Sequence, residues 1–470
     1  MPERLTAAEA GAEIALARAA LESLHPGYDR YTQRTQLDAL WASLEASADG
    51  GMSRGDLYVE LSRILAAIRC DHTKAELPSD VEARRRAEAM YLPFSFRLID
   101  ARMFVDRATD GSGLARGDEI LEIDGRDIGT LIESVFPLLP VDGDTDYVKP
   151  GLFDTAGEFV GPGLDHFAPY LFEIDDGVEL EVRDRSGQAR KLSPQRIDFD
   201  AYERLIGQKR FSLNFSDSVR FETLGERGAY LAVDTFVNYR EPVDAVAHLE
   251  PYFRRLKDEG RDRLIVDLRE NGGGSDDAQT ALISYLIDEP LLQAEAKLTR
   301  YVSIDPAIKP HLNTWDQSAL NPDPEWFEPA GDGYYRIVAA EGGAPPGPVE
   351  PARYAFDGEL VLLTSASNAS GLTHLLANLQ TAGVATLIGE KTGGAPTGAT
   401  AGVIFFLKLK ASGITVRVPA QRTVIANAAE LPEREGITPD MLAPETIESW
   451  LNGRDPALEA ALEFLSIERP

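Results

Sequence analysis

The spacing of hydrophobic positions changes along the chain, and each change marks a different kind of element. Up to about residue 75 they recur at helical intervals. Leu37, Leu40, Trp41 and Leu44 form one stripe, and Leu57, Leu61, Ile64, Leu65 and Ile68 another, each on one face of a 3.6-residue turn. Met1 to Leu24 shows an Ala/Glu/Leu pattern of the same period, so residues 1–80 are expected to form a helical domain, a cap. The charged run Glu82 to Glu88 is expected to be an exposed connection. Between about 90 and 195 the period shortens to two. Phe94 to Leu98, Met103 to Val105, Glu119 to Ile123 and Val178 to Val182 read as short strands separated by Gly and Asp, a small β domain over 85–195. Its insertion near 134–172, rich in Gly, Pro and Asp, reads as a loop rather than a lid.

From about 225 strands alternate with helices: Tyr230 to Val233, a helix near 241–259, then two strand–turn–helix units. This alternation predicts a layered α/β domain over 196–470. A Pro- and Gly-rich insertion between about 304 and 356 interrupts it. Val403 to Leu409 and Ile414 to Val418 flank Ala411-Ser412-Gly413 as a hairpin, and Asp455-Pro456 caps a terminal helix. No internal repeat is visible.

The two strand–turn–helix units carry the candidate chemistry. In the first, Leu264-Ile265-Val266 runs into Asp267-Leu268-Arg269-Glu270-Asn271-Gly272-Gly273-Gly274, and a periodic stretch from Ala278 to Ile287 follows. In the second, Leu360 to Leu363 precedes Asn368-Ala369-Ser370-Gly371-Leu372, with a helix running to about Thr381. Turns of this kind leave backbone N–H groups unpaired, and a hydroxyl at a helix mouth sits in the positive end of its dipole. Ser370 is therefore a candidate nucleophile. The N–H groups of Gly273, with Gly274 as neighbour, and of Gly371 are candidate oxyanion donors. The same residues also satisfy a plainer description, in which the glycines only make a tight turn and Ser370 only caps its helix.

Taken in order and spacing, DLRENGGG, the serine that follows VLLTSASNA, Leu387 to Gly394 (LIGEKTGG) and Leu114 to Gly125 (LARGDEILEIDG) resemble the S41 serine peptidases. That family includes the C-terminal processing (tail-specific) proteases and the tricorn-type proteases, and the likeness covers residues from about 60 to 440. It implies a crotonase-like (ClpP/crotonase) layered α/β core with a PDZ-like β domain, of which Leu114 to Gly125 is the closing half. It also implies a serine endopeptidase working through an acyl-enzyme, with the PDZ-like module adding an extended peptide to its sheet edge. In the Ser-Lys branch a lysine lies about 25 residues after the serine, a register that falls on Ala395; Lys391 falls short of it and reads as a loop charge. In the tricorn-like branch a histidine comes from between the cap and the PDZ-like domain, with a glutamate near the C-terminus. Cys70-Asp71-His72-Thr73 stands at the upstream location, making His72 the candidate base. Glu433, ahead of Gly436, is the candidate orienting carboxylate, with Glu435 second. Tricorn-type enzymes have a serine immediately before the histidine where this chain has Asp71, which leaves the link between Glu433 and His72 open. His374, one turn beyond Ser370, is a second candidate base that reads more simply as a residue lining the cleft. His25, His166, His248 and His311 read as surface or structural residues.

Charge narrows the partners. Asp and Glu outnumber Lys and Arg 77 to 47, a net charge of −30, which disfavours phosphate backbones and anionic lipid. Peptide or protein substrates are the expected partners; nucleic acid is not. No run approaches the ~18 apolar residues of a membrane helix. No HExxH or CxxC spacing suggests a metal, and no cofactor is expected; Gly111-Ser112-Gly113 and Gly342 to Gly347 read as turns rather than phosphate loops. Cys70 is the lone cysteine, so no internal disulfide forms. The N-terminus lacks the basic and apolar regions of a signal peptide, while the family resemblance implies export. Two other functions compete with proteolysis. The missing lysine suits a non-catalytic S41-fold binding protein for a peptide or apolar ligand. Hydration or thioester chemistry on a crotonase-like core lacks CoA-directed features. Oligomeric state is not legible.

Overall fold

Leu264, Val266, Leu360, Leu362 and Leu387 alternate with Ile265, Val361, Leu363 and Ile388, and every one of these side chains is fully buried or nearly so. Such unbroken apolar runs belong to parallel strands covered on both faces, where each buried aliphatic side chain contributes about 1.5–3 kcal/mol. The computed structural model, which describes residues 4–155, 157, 159–207, 213–426 and 431–468, has this arrangement. Strands Val219–Leu224, Gly228–Val233, Arg263–Asp267, Glu359–Thr364, Thr386–Gly389 and Met441–Leu442 lie side by side in that order, and all but the first pair are parallel. One face carries the helices Ala245–Asp258, Asp276–Leu286 and Ser370–Thr381; the other carries the terminal helix Pro456–Phe464. Asp455 caps that last helix through the Leu458 amide, as its sequence predicts.

A second sheet is built around the long hairpin of Thr400–Lys408 and Thr415–Ile425. Ala294–Thr299 extends it on one side. The Pro- and Gly-rich insertion adds Phe327–Gly331 and Tyr334–Ile337 beyond, so part of that insertion is sheet. A third sheet holds Phe94–Ile99, Arg102–Ala108, Glu119–Ile123, Leu180–Arg183 and Ala189–Leu192, matching the period-two segments.

The N-terminal helices Ala7–Leu24, Arg34–Ala48 and Arg54–Ala67 follow the predicted stripes and share one apolar core with the third sheet and with the long hairpin. Ala75–Glu76 pairs directly with the hairpin strand. The segment just ahead of it, residues 70–73, is thereby held between the helices and the second sheet.

Two expectations are corrected. The run Glu82 to Glu88 is not an open connection but lies mostly within the helix Ser79–Ala87, because Val81 and Arg85 are buried. Arg85 donates to the carbonyls of His166 and Asp165 at 2.6 and 2.7 Å, which compensates the burial of its charge. The insertion at 134–172 is not a plain loop. Lys149–Asp154 and Gly163–Leu171 are helices, and Phe153, Leu164 and Phe167 anchor them in the main core. Among the described residues no helix is long and apolar enough to cross a membrane.

Candidate active site

Arg263–Asp267 and Glu359–Thr364 are adjacent and parallel, with Asp267 opposite Leu363, so their continuations leave the sheet at the same end. Crevices at the carboxyl ends of parallel strands are where α/β sheets present ligand sites. Two buried asparagines fix the turns there. Asn368 donates to the carbonyls of Leu268 (2.8 Å) and Asn271 (3.1 Å) and accepts the Ser365 amide at 2.8 Å. Asn271 donates to Val233 O at 3.0 Å. The Asn368 carbonyl also takes the Gly393 and Gly394 amides, so the LIGEKTGG segment closes over the serine loop.

Ser370 opens its helix with φ +51°. This is left-handed backbone that a residue with a Cβ adopts only at a cost. A sharp strand-to-helix elbow of this kind holds a hydroxyl out at the top of a sheet. Gly273 packs directly against it: at φ +104°, a Cβ there would lie 2.9 Å from Ser370 Cβ and 3.0 Å from the Gly371 nitrogen. Only glycine allows that approach.

The Gly273 amide is not free for an oxyanion, because it donates to Asn271 Oδ1 at 2.8 Å. Its role as a donor is corrected to one of close packing. Among the described residues no acceptor takes the amides of Gly274 or Gly371. These flank Gly273 and Ser370 and are the available donors.

Ser370 opens on a cleft of about 1730 Å³ whose lining also includes Asp71, His72, Gly274, Gly371 and His374. His72 therefore reaches the serine's cleft from a segment that is remote in sequence. Its Nδ1 lies 2.5 Å from Asp71 Oδ1, a contact that departs from in-line hydrogen-bond geometry. Burial works against the imidazolium, but the adjacent Asp71 carboxylate outweighs it and holds His72 well above the ordinary histidine range. Asp71 is itself disfavoured by burial, yet His72 brings it down to about 2. A second carboxyl, Asp142, accepts the Asp71 amide at 3.1 Å and also lines the cleft. Burial, and then the Asp71 charge, push it up to about 8. Nothing in the sequence marks Asp142, because its partner is far away along the chain.

Cys70 Sγ, an Asp71 oxygen and a His72 ring nitrogen lie within 4.8 Å of one another, a grouping that ligand-spacing motifs do not reveal. Asp71 and His72 already contact each other through Oδ1 and Nδ1, and Cys70 Sγ lies 3.6 Å from Thr400 O.

The structure does not bring Glu433 to the cleft. Its side chain is exposed, and its backbone carbonyl accepts from Tyr31 and Thr397. Glu435 is also exposed and is paired with Lys391. Neither Glu433, the candidate orienting carboxylate, nor its alternative Glu435 lines the cleft; Asp71 stands beside His72 instead. His374 lines the cleft, but its Nε2 accepts the Ala399 amide at 2.9 Å, and burial brings it down to about 4. That nitrogen is spent on the backbone just ahead of the hairpin strand, leaving His374 unsuited to be the base. His25, fully buried, accepts the Gly27 amide at Nδ1 and contacts Thr73 Oγ1 at 2.7 Å through Nε2, pinning the segment that carries His72. Ala395, at the lysine register, is buried.

Residues 227–443 match the model of peptidase family S41. The structure of mature CPAF complexed with lactacystin superposes with a TM-score of 0.65 over 98% of this chain and 97% of that one, at 14% identity, which shows a shared fold. The photosystem II D1 C-terminal processing protease aligns with a TM-score of 0.40 at 18% identity, over 92% of each chain. The tricorn protease gives 0.39 at 15% identity, over 96% of this chain and 36% of that one. None of the curated proteins matches in sequence.

Proposed function

We propose, for a chain that belongs to peptidase family S41 and is a serine-type peptidase, that it is an endopeptidase cleaving peptide bonds through an acyl-enzyme on Ser370. Ser370 Oγ attacks the carbonyl carbon as its proton passes to His72 Nε2. The amides of Gly371 and Gly274 hold the oxyanion. On collapse the C–N bond breaks and the departing amine takes the proton from His72. Water, giving a proton to the same imidazole, then splits the ester and restores the Ser370 hydroxyl. Asp71 orients His72 and stabilises the imidazolium, the task that family resemblance assigned to Glu433.

This reading rests above all on Ser370, a non-glycine residue held at φ +51° against Gly273 at the mouth of a helix, in a cleft shared with the Asp71–His72 pair. A residue serving only as a helix cap has no need of that backbone.

Around this centre, residues 1–80, 85–195 and 196–470 are read as a helical domain, a PDZ-like domain and a catalytic domain of crotonase-like layering. The parallel sheet with helices on both faces supports the last reading. The sheet of residues 94–192 supports the second, and its substrate role is to take an extended peptide along one edge.

Ser370→Ala tests the assignment. The purified variant should lose peptide hydrolysis by about 10³-fold or more and lose labelling by a fluorophosphonate, with the fold retained. Hydrolysis at the wild-type rate would end the assignment, and a wild-type protein that takes no label but copurifies with a ligand would favour the binding-protein reading.

A further inference from the structure

Asp142 is only 4% exposed. Its Oδ1 receives the Asp71 amide, while its Oδ2 is enclosed and has no hydrogen-bond partner of standard geometry among the described residues. The loop that carries it is held at both ends. Thr145 Oγ1 donates to the Asp142 carbonyl at 2.7 Å, and the Gly143 amide donates to Arg69 O at 3.0 Å. On the far side the Asp144 amide donates to Arg434 O at 2.6 Å. A Cβ on Gly143, at φ +53°, would fall 2.2 Å from Arg434 O, so glycine lets the loop wedge between these two arginine segments.

Neither arginine neutralises Asp142. Arg69 places its guanidinium on Gly143 O and Asp146. Arg434 places its own on Asp144 and Tyr31 O. The titratable groups facing Asp142 are Cys70, Asp71 and His72 on the segment it touches and Tyr31 on the connection after the first helix; Lys74 acts on Asp71. A carboxyl enclosed this way, beside a second carboxylate, is stable as the neutral acid. A neutral acid there offers Asp71 an O–H donor in place of a like charge.

We propose that Asp142 is a positioning residue for the Asp71–His72 pair. As a protonated acid it grips Asp71 by amide and carboxylate together, which fixes that carboxylate against His72 Nδ1 and leaves Nε2 for Ser370. The assignment rests on the reading of His72 as the base. It makes the insertion at 134–172 part of the catalytic apparatus, through a residue that acts by way of Asp71.

The test compares Asp142→Asn and Asp142→Ala in the full chain. Asparagine keeps a donor, so kcat should stay within about 3-fold of wild type below pH 8, and the ionisation near pH 8 should vanish from the pH–rate profile. Alanine should lower kcat about 10-fold or more and leave KM within about 2-fold. In parallel, the His72 imidazole is titrated by NMR in the inactive Ser370→Ala background. It should follow two ionisations with Asp142 present and one in Asp142→Asn. An Asp142→Ala enzyme with wild-type kcat and profile, or an imidazole titration identical in all three proteins, would overturn the proposal. If Ser370→Ala still hydrolyses peptide, the serine reading fails, while the imidazole titration still decides whether Asp142 governs His72.

Discussion

At Ser370 the chain accepts left-handed backbone where a glycine would sit without strain. Ser370→Gly should therefore be more stable than Ser370→Ala by about 1 kcal/mol, read from denaturation midpoints, although both are inactive. Equal midpoints would mean that the elbow stores nothing. The Asp71–His72 pair makes a second claim at this scale. In the proposed mechanism His72 must be neutral to take the proton, and Asp71 raises the pH at which it becomes so. kcat/KM should accordingly rise with pH above the usual histidine range. Asp71→Asn removes the charge that holds the imidazolium, so the rising limb should move to lower pH while the plateau falls about 10²-fold from lost orientation. A limb that stays in place would separate Asp71 from the base. The serine elbow and the glycine turn were legible because each is a local pattern set by one strand and one helix. Asp142 was not, since no spacing rule links a carboxyl to a backbone amide that far upstream. Glu433 illustrates the converse, for its motif is plain in the sequence while its side chain faces solvent.

The turns that carry this chemistry are held by side-chain-to-backbone bonds rather than by apolar packing. Asn368 joins both turns and has no accessible surface. Replacing it by leucine leaves the Leu268 and Asn271 carbonyls and the Ser365 amide without their partner in a dry site, and should cost about 3 kcal/mol or more. Chemical denaturation measures this, and a loss below about 1 kcal/mol would mean that water or a shifted loop takes over. The long elements were readable from sequence: the helix from Ser370 to Thr381 and the strands around it follow directly from unbroken apolar runs. Two segments were misread for a common reason. Ser79–Ala87 and the helices within 134–172 are rich in charge or in Gly and Pro, and a few deeply buried anchors such as Val81, Phe153 and Phe167 decide their structure against composition.

Across the whole molecule, a net charge of −30 surrounds a cleft that must admit peptides. Long-range attraction should favour basic substrates at low salt and fade as the Debye length shrinks. Raising salt from about 0.05 to about 0.5 M should lower kcat/KM for a basic peptide several-fold and raise it for an acidic one of the same core sequence. Identical salt responses would show that the cleft's own charges shield the substrate from the surface field. The arrangement of the site also bears on when activity begins. His72 comes from the early part of the chain and Ser370 from the late part, and the sheet beneath the serine is finished by Met441–Leu442, with Asp455 holding Arg269. A polypeptide still emerging from the ribosome thus carries an imidazole with no hydroxyl to activate. On the roles proposed for His72 and Ser370, cutting power is assembled last, when the late strands close the site.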